Sequence, residues 1–465
     1  MGSREASPTI ASAESAVLPT AAPSLRYAWY VVLILMLCYT LSFIDRQILS
    51  LLVAPIKRDL HISDTRIGLL QGLAFALFYT FMGLPLGRIA DTHNRRRLIS
   101  VGLFVWSILT AACGAAKNFW TLGLARMGVG VGEATLAPAA FSLITDYFPA
   151  QRLGLALSTY AMGIFIGSGL AFIVGGTVVQ ALSYTPFITL PLLGTVASWR
   201  LSFLIVCIPG LLMLPLLLTV REPLRRQLLL TAEGRPSTLS FREVLAQIRL
   251  RFGSVLGISL GMVFQSMCAY SFLAWGPTYL QRVHRWTPGQ AGRALGLLTL
   301  FVGCLGMYLG GRLCDYWQQR GLREAPLRVA VLAAVGTGVL FPIALLSSSV
   351  VWMTLFLVPA LFFLAFPVGS SFAAMQLIFP NQVRGQVSAV LLFVLNLGGL
   401  SLGPLLPGVL NDYFFHSDRM IGASLTITLV AASFLMWLVY LATYRPYRKH
   451  LESAQAWQSA PASQT

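Results

Sequence analysis

Charged residues inside apolar stretches are the first feature of this 465-residue sequence that could do chemistry. In the segment LSFIDRQILSLL, Asp45 and Arg46 are adjacent, and a later apolar stretch contains Arg126 and Glu133. A charge at the centre of a bilayer costs about 2.5–3.5 kcal/mol on insertion scales, so such charges are paired or face water, and they usually have a function. The alternative is a static ion-pair cluster that fixes helix packing.

The chemistry of these residue types divides the possible roles. Arginine keeps its proton at working pH, so Arg46 and Arg126 are candidate anion-binding groups. No histidine falls in the predicted spans, so a proton carrier must be a carboxylate, and Asp45 and Glu133 are the candidates. Arg126 and Glu133 are seven residues apart, hence on one helix face and about 10 Å apart along the axis. We expect Glu133 to neutralise Arg126 when no substrate is bound.

The elements that position these residues are those of a polytopic membrane protein. Hydrophobic residues make up 56% of the chain and charged residues 11%, against about 25% charged in soluble proteins. Apolar stretches of about 20 residues, the length that crosses about 30 Å of hydrocarbon, recur from end to end. Twelve spans are predicted, at 28–53, 67–89, 97–116, 120–144, 154–180, 198–220, 254–281, 292–314, 327–347, 351–378, 386–411 and 421–444.

The net charge of +17 does not indicate nucleic-acid binding, because the basic residues are concentrated in alternate loops. This positive-inside pattern predicts that both termini are cytoplasmic. The absence of a cleavable signal peptide and of long loops on the other side favours a bacterial inner membrane. The basic clusters are Arg95–Arg97, Arg221 to Arg251, Arg320 to Arg328 and Arg445 to Lys449.

Motifs repeat between the two halves of the chain. GRIAD at 87–91 follows the second span, and GRLCD at 311–315 follows the eighth; FPAQR precedes the fifth span, and FPNQVR precedes the eleventh. Two six-helix halves joined by a linker are the layout of parallel-repeat transporters. The predicted parts are a disordered tail at 1–27, a first half at 28–220, a linker at 221–252, a second half at 253–444 and a tail at 445–465, with the segment after His450 disordered.

Part of the linker has the pattern of a helix. Ser240 and Glu243 have capping-box spacing, and Val244, Leu245 and Ile248 recur near helical spacing. This pattern predicts an amphipathic helix on the membrane surface, and a disordered linker is the alternative. The six cysteines lie in or at the ends of spans without paired spacing, so neither disulfides nor a metal site are expected, and no cofactor is predicted.

These motifs resemble those of the major facilitator superfamily. Within it, the chain is similar to the Spinster family of lipid-linked transporters through FIDRQIL (43–49), GLAFALFYTFMGLPLGRIAD (72–91) and ARMGVGVGEA (125–134). The resemblance implies an all-α fold of twelve transmembrane helices in two six-helix halves. Gly87, Asp91, Arg95 and Arg96 match the superfamily's loop motif, whereas Thr92 and Asn94 differ from it.

The resemblance also implies where the candidate residues lie. The superfamily's first and fourth helices line a central cavity, which Asp45 and Arg46 are expected to share with Arg126 and Glu133. Knowledge of the Spinster family supports proton coupling at the positions of Asp45 and Glu133.

The loop motif is a candidate gate. Asp91 and Arg95 are four residues apart and could meet on one helical face if the helix continues. The superfamily resemblance adds Asp146 as an ionic partner. Gly87, Asp91, Arg95 and Asp146 are therefore predicted to form a cytoplasmic latch that favours the outward-open state; the alternative is a solvated turn.

The second half has no deep charge, and Gln265, Tyr270 and Trp275 are its candidate substrate-binding residues. A cavity charged on one wall and apolar on the other suits an amphiphilic anion such as a lysophospholipid, moved by proton-coupled alternating access. The alternatives are a small organic acid or sugar acid on the same fold, or a non-transporting receptor or enzyme. The expected partners are protons, this substrate and membrane lipids, with no nucleic acid, and the chain is expected to be a monomeric non-enzyme.

Overall fold

Twelve helices that are long and apolar enough to cross a membrane form the structure, as the sequence predicts. It is a computed structural model that describes residues 24–190, 194–223, 241–379 and 381–458. Most of the predicted amino-terminal tail and much of the linker, including Ser240, lie outside these residues. Backbone groups cannot bond to water within hydrocarbon, so an apolar chain of this kind satisfies them in helices.

The first half contains six spans, several of them built from two consecutive helices. A short helix, α2, connects the first span to the second. The helices are α1 (Leu25–Leu51), α2 (Val53–Leu60), α3 (Asp64–Gln71), α4 (Leu73–Thr92), α5 (Arg95–Ala115), α6 (Phe119–Glu133), α7 (Leu136–Tyr147), α8 (Ala150–Ala161), α9 (Gly163–Ser183) and α10 (Trp199–Leu218).

The second half contains the seventh to twelfth spans of the chain, and the eighth and eleventh include π-helical turns. The linker helix α11 (Phe241–Leu250) comes first. The helices of the second half are α12 (Phe252–Arg282), α13 (Pro288–Leu297), α14 (Cys304–Gln319), α15 (Ala325–Leu345), α16 (Val350–Ala365), α17 (Val368–Leu377), α18 (Asn381–Leu395), α19 (Ser401–Val409) and α20 (Ile421–Gln458), with π segments Leu298–Gly303, Asn396–Leu400 and Leu410–Phe415 and a 3-10 turn at Asp418–Met420.

An even number of spans returns the chain to the face of the bundle where it began. We call the face that holds Leu25 and Gln458 the termini face, and the other the opposite face. The two halves meet toward the opposite face, where α3 packs on α19 and α9 packs on α13. These packed pairs join an element of each half, so they set the distance between the halves.

A break in the second span lets the two halves approach closely. The helix is interrupted at Gly72, whose φ and ψ are −105° and −90°. A Cβ atom there would lie 2.7 Å from the carbonyl oxygen of Ser401 in the other half. Since real Cβ atoms do not approach that closely, only glycine fits without movement of one backbone. The break also directs Gln71, the last residue of α3, toward the interface.

Three local features differ from or extend the sequence prediction. The last helix continues to Gln458 instead of ending at 444, so the segment after His450 is helical to that residue, not disordered. A helix, Phe241–Leu250, is present where the linker was predicted to be amphipathic. On the opposite face, strands β1 (Phe187–Leu190) and β2 (Gly194–Ala197) form an antiparallel ribbon that was not predicted.

Candidate functional site

An ion pair joins the first and fourth spans inside the bundle. The Arg46 Nε atom lies 2.7 Å from Glu133 Oε2, and the side chain of Glu133 is fully buried. Ser42 donates a second hydrogen bond of 2.5 Å to the same oxygen. The other oxygen, Oε1, is buried and has no hydrogen-bond partner among the described residues. The guanidinium carbon of Arg46 lies 4.6–4.9 Å from the ring centroids of Phe43, Phe75 and Tyr79.

Arg126 contacts the first span at a different point. Its Nη1 atom donates a 3.2 Å hydrogen bond to the backbone carbonyl of Asp45, and only 1% of its surface is exposed. The Asp45 carboxylate accepts a 3.2 Å hydrogen bond from Thr110 of α5. The prediction that Glu133 neutralises Arg126 is therefore wrong. Residues seven apart on one helix are separated by about 10 Å along its axis, whereas Arg46 reaches Glu133 from the facing helix.

A small cavity lies between the two halves beside these charges. Its volume is about 30 Å³, which is room for about two or three water molecules. Of the four charged residues that were expected to share a cavity, Arg46 and Arg126 line it, whereas Asp45 and Glu133 lie outside its lining. The lining residues are Arg46, Gln47, Ser50, Gln71, Phe75 and Arg126 from the first half, and Tyr270, Leu273, Ala274, Leu400 and Pro404 from the second.

Only one of the three predicted substrate-binding residues of the second half lines this cavity. Tyr270 lines it, whereas Gln265 and Trp275 are buried but outside its lining. The indole of Trp275 donates a 2.7 Å hydrogen bond to the backbone carbonyl of Pro404, so it fixes the seventh span against the eleventh. The wall contributed by the second half is thus apolar except for the Tyr270 hydroxyl.

A second charge cluster closes the opposite face, and it is centred on a fully buried carboxylate. The guanidinium of Arg282 holds Asp64 with two bonds of 2.5 and 2.8 Å between the halves. Lys57 lies 3.2 Å from the same carboxylate and 2.5 Å from Asp418 of the second half. Asn411 adds a 2.6 Å hydrogen bond to Asp64. We call these five residues the opposite-face cluster.

The same cluster is extended by a helix cap that crosses between the halves. Backbone N–H groups at a helix start lack partners within the helix, and a carboxylate there is stabilising. The carboxylate of Asp412 accepts from the N–H of Asp64 at 3.2 Å and from the N–H of Thr65 at 2.6 Å. The second half therefore caps α3 of the first half, so separation of the halves here must break ionic and capping bonds together.

At the termini face, Arg95 forms a different kind of cluster. Its side chain, which is fully buried, pairs with Asp146 and lies 2.6 Å from Glu222. It also donates a 2.8 Å hydrogen bond to Ser142. Arg95, Ser142 and Asp146 belong to the first half, and Glu222 follows its sixth span at the start of the linker, so these contacts tie the third and fourth spans to the start of the linker and do not join the two halves.

The other predicted gate residues, Gly87 and Asp91, lie in the last turns of α4. The helix does not continue from Asp91 to Arg95 as the prediction required, because α4 ends at Thr92 and α5 begins at Arg95. Asn94 caps the new helix by accepting from the N–H of Arg97 at 2.8 Å. Gly87 faces α7, where an added Cβ would meet Pro138 at 3.9 Å.

The sequence reasoning missed two sets of residues. The opposite-face cluster consists of four charged residues and Asn411 at or near span ends, where the charges resemble ordinary loop charges until the fold brings Asp64 and Arg282 together. Gln71 and Gln47 are amides within apolar spans, and that exception to the apolar pattern was a usable signal.

Comparison with known proteins supports the architecture. The family model of the Major Facilitator Superfamily matches residues 35–401. An MFS-type efflux pump of Mycolicibacterium smegmatis is 30% identical over 442 residues, which cover 92% of this chain and 96% of the pump. A probable L-galactonate transporter of Escherichia coli is 25% identical over 400 residues, which cover 83% and 84% of the two chains.

A solved structure has the same overall shape. The crystal structure of a bacterial homolog to the human lysosomal transporter Spinster, inward-facing and unoccupied, matches with a TM-score of 0.72 and 27% identity, over 94% of this chain and all of that one. The chain thus resembles the Spinster family in both sequence and structure. With twelve spans in two halves and a family match over most of its length, the chain belongs to the Major Facilitator Superfamily.

Proposed function

We propose that this protein is a proton-coupled secondary transporter that moves an amphiphilic organic anion, such as a lysophospholipid or related lipid. The observation that carries the proposal is the polarity of the cavity wall. Arg46 and Arg126 line the cavity while Asp45 and Glu133 do not, so a ligand meets two permanent positive charges. The wall from the second half, which contains Leu273, Ala274, Leu400 and Pro404, is largely apolar and suits the tail of such a ligand in a state where the cavity is wider.

The Arg46–Glu133 pair supports the proton-coupling part of the proposal. An anion that binds Arg46 competes with Glu133 for the same guanidinium. A buried carboxylate that loses its cation is costly in its charged form, so it becomes more stable when it takes up a proton. The Oε1 atom has no partner among the described residues and can accept that proton. Asp45 is the second candidate carrier.

The opposite-face cluster supports alternating access. In this structure Asp64 and Arg282 join the two halves at the opposite face, whereas Arg95 pairs at the termini face with Asp146 of its own half and with Glu222 of the linker. Exchange between states then requires the opposite-face cluster to open.

The placement in the cell is part of the same proposal. The basic loops of the termini face support a cytoplasmic position for that face, in a bacterial inner membrane. One chain supplies both walls of the cavity, which supports a monomeric transporter. The orientation is tested with a reporter enzyme that is active only in the periplasm, fused after Gln458. Activity of this fusion would contradict a cytoplasmic termini face.

The function is tested by uptake into proteoliposomes with lysophospholipids and small organic acids, with and without a pH gradient. We expect gradient-driven uptake of a lysophospholipid that is lost in Arg46→Ala and retained in Arg293→Gln, because Arg293 is exposed. Uptake that ignores the gradient would contradict proton coupling.

The runner-up function is transport of a small organic acid or sugar acid. The similarity to a probable L-galactonate transporter and the small size of the cavity favour it. Uptake of hydroxylated acids in the same assay, with no uptake of lysophospholipids, would establish this alternative.

A further inference from the structure

Gln71 is a buried polar side chain in the cavity wall, and the ion pair and anion-binding arginines described above do not explain why it is there. Its residue is only 9% exposed, and neither its amide oxygen nor its amide nitrogen has a hydrogen-bond partner among the described residues. An amide buried without partners costs about 1–3 kcal/mol in protein data. Retaining it inside an apolar span is therefore costly unless something in the cavity bonds to it.

The fold holds this amide at the cavity. The break at Gly72 ends α3 at Gln71, and the contact of Gly72 with the Ser401 carbonyl fixes the break against the second half. Gln71 consequently lines the cavity instead of facing lipid or the interior of its own half.

A second unpartnered group lines the same cavity. The Nε atom of Arg126 is buried and has no hydrogen-bond partner among the described residues, although the Nη1 atom of the same side chain donates a hydrogen bond to the backbone carbonyl of Asp45. Gln71 and Arg126 line the same small cavity, so a head group that enters it meets both side chains in its wall. One group offers a cationic N–H, and the other offers a donor and an acceptor together.

We propose that Gln71 and Arg126 form a two-point receptor for an anion that carries a hydroxyl group near its charge, with Arg126 binding the anionic oxygen and Gln71 bonding to the hydroxyl. This inference rests on the proposed function, since it concerns the substrate of the same site. The hydroxyl matches an amide because each can donate and accept. A lysolipid phosphate and a hydroxylated acid both have this chemistry.

The physical consequence is discrimination by the hydroxyl. A ligand without it displaces water from Gln71 but cannot replace its hydrogen bonds, which lowers affinity. Sites built to bond a substrate hydroxyl reject analogues that lack it far more strongly than apolar pockets distinguish a methylene. We expect at least about a tenfold difference in Kd.

The test measures binding to the purified full chain by calorimetry. One ligand pair is 1-acyl-glycerol-3-phosphate and its 2-deoxy analogue; the other is a hexonate and its 2-deoxy analogue. In the wild type, the hydroxylated member of one pair should bind at least about tenfold more tightly than its 2-deoxy analogue. Whether this is the acyl-glycerol phosphate pair or the hexonate pair shows whether the head group belongs to a lipid or to a small acid. In Gln71→Met the difference should fall to about twofold or less.

Controls distinguish this role from a structural one. Gln71→Met replaces an unpartnered polar group by an apolar one of similar length, so its melting temperature should not fall. Thr80→Val is the matched control, because Thr80 is also buried and unpartnered in the second span but does not line the cavity. It should keep the full hydroxyl discrimination.

Three outcomes would count against the inference. Equal binding of both members of each pair to the wild type, or undiminished discrimination in Gln71→Met, would overturn the inference and leave the proposed anion transport intact. If none of the four anions binds the wild type, the proposed function fails and the inference fails with it.

Discussion

Arg46 and Glu133 are 87 residues apart in the sequence, and their side chains are joined at 2.7 Å inside the bundle. Both side chains are nearly or fully buried, so water cannot solvate the remaining charge if its partner is removed. Loss of one partner of a buried pair typically costs about 3–5 kcal/mol, because it leaves an uncompensated charge.

We therefore expect Glu133→Gln to lower the melting temperature of the purified protein. The change keeps the size of the side chain and removes the charge that compensates Arg46. Ser42→Ala is the control, since it removes one hydrogen bond to Glu133 and should cost only about 1 kcal/mol. A melting temperature for Glu133→Gln at or above that of Ser42→Ala would mean that the ion pair does not stabilise this state.

The Asp45→Asn variant tests the other carboxylate. An amide can still accept from Thr110, and the Arg126 contact is to the backbone, so the local structure should survive. We expect uptake against a gradient to fall to background while exchange of substrate across the membrane continues, because exchange needs no net proton movement. Thr110→Val should reduce concentrative uptake less. Concentration of substrate by Asp45→Asn would exclude Asp45 as the necessary proton carrier.

Asp64→Asn should shift the protein toward a state open at the opposite face. The variant removes the charge that holds Arg282 and Lys57 together, and these two cations then lie close to each other without Asp64. The measurement is labelling of a cysteine placed at Ser50, in the cavity lining, by an impermeant reagent added at the opposite face. Labelling should become several-fold faster.

The control for this shift is an acidic residue on the same face. Asp59 pairs with Arg200 at 3.0 Å, and both belong to the first half. Asp59→Asn should leave the labelling rate at Ser50 near that of the wild type. If Asp59→Asn and Asp64→Asn accelerate labelling equally, a general loss of negative charge is responsible, and the opposite-face cluster is not a specific lock.

Arg95→Gln separates a clamp within one half from a latch between halves. The Arg95 contacts described above are to the first half and to the start of the linker, and none is to the second half, so their loss should lower the melting temperature without changing the labelling of the cavity cysteine from the termini face. The loop motif alone led to the opposite expectation. Faster labelling in Arg95→Gln than in the wild type would instead support a latch between the halves.

The sequence was sufficient for the spans and for the residues that carry charge, because both depend on local patterns. Twelve apolar stretches of the required length predict twelve helices, and Arg46 and Glu133 are conspicuous within them. The partners were not predictable in the same way. Glu133 was expected to pair with Arg126 on its own helix, whereas the actual partner approaches from the first span, and only the three-dimensional arrangement of the spans determines that geometry.

The opposite-face cluster illustrates a further limit. Asp64, Arg282 and Asp412 are each ordinary residues for the end of a span, and nothing in their local sequence distinguishes them from solvated loop charges. They meet only because the two halves are in contact, and Arg282 and Asp64 are 218 residues apart in the sequence. The state of the transporter is therefore a property of the assembled bundle, and sequence patterns with helical period do not report it.

The final prediction concerns the link between anion binding and protonation. In the structure, Arg46 is the cation that neutralises Glu133, so an anion that takes Arg46 should leave Glu133 to bind a proton. Binding of anion and proton then favour each other, and this coupling must be reciprocal. Wild-type affinity for an anionic substrate should rise as pH falls. In Arg46→Ala, Glu133 has already lost its cation, so its protonation no longer depends on the substrate and the affinity should vary much less with pH. Arg126→Ala should keep the wild-type pH dependence with weaker binding at every pH, because Arg126 contacts the Asp45 carbonyl and not Glu133. The measurement is Kd against pH for the three proteins. A flat curve for Arg126→Ala beside an unchanged slope for Arg46→Ala would transfer the coupling to Arg126 and contradict the role of this ion pair.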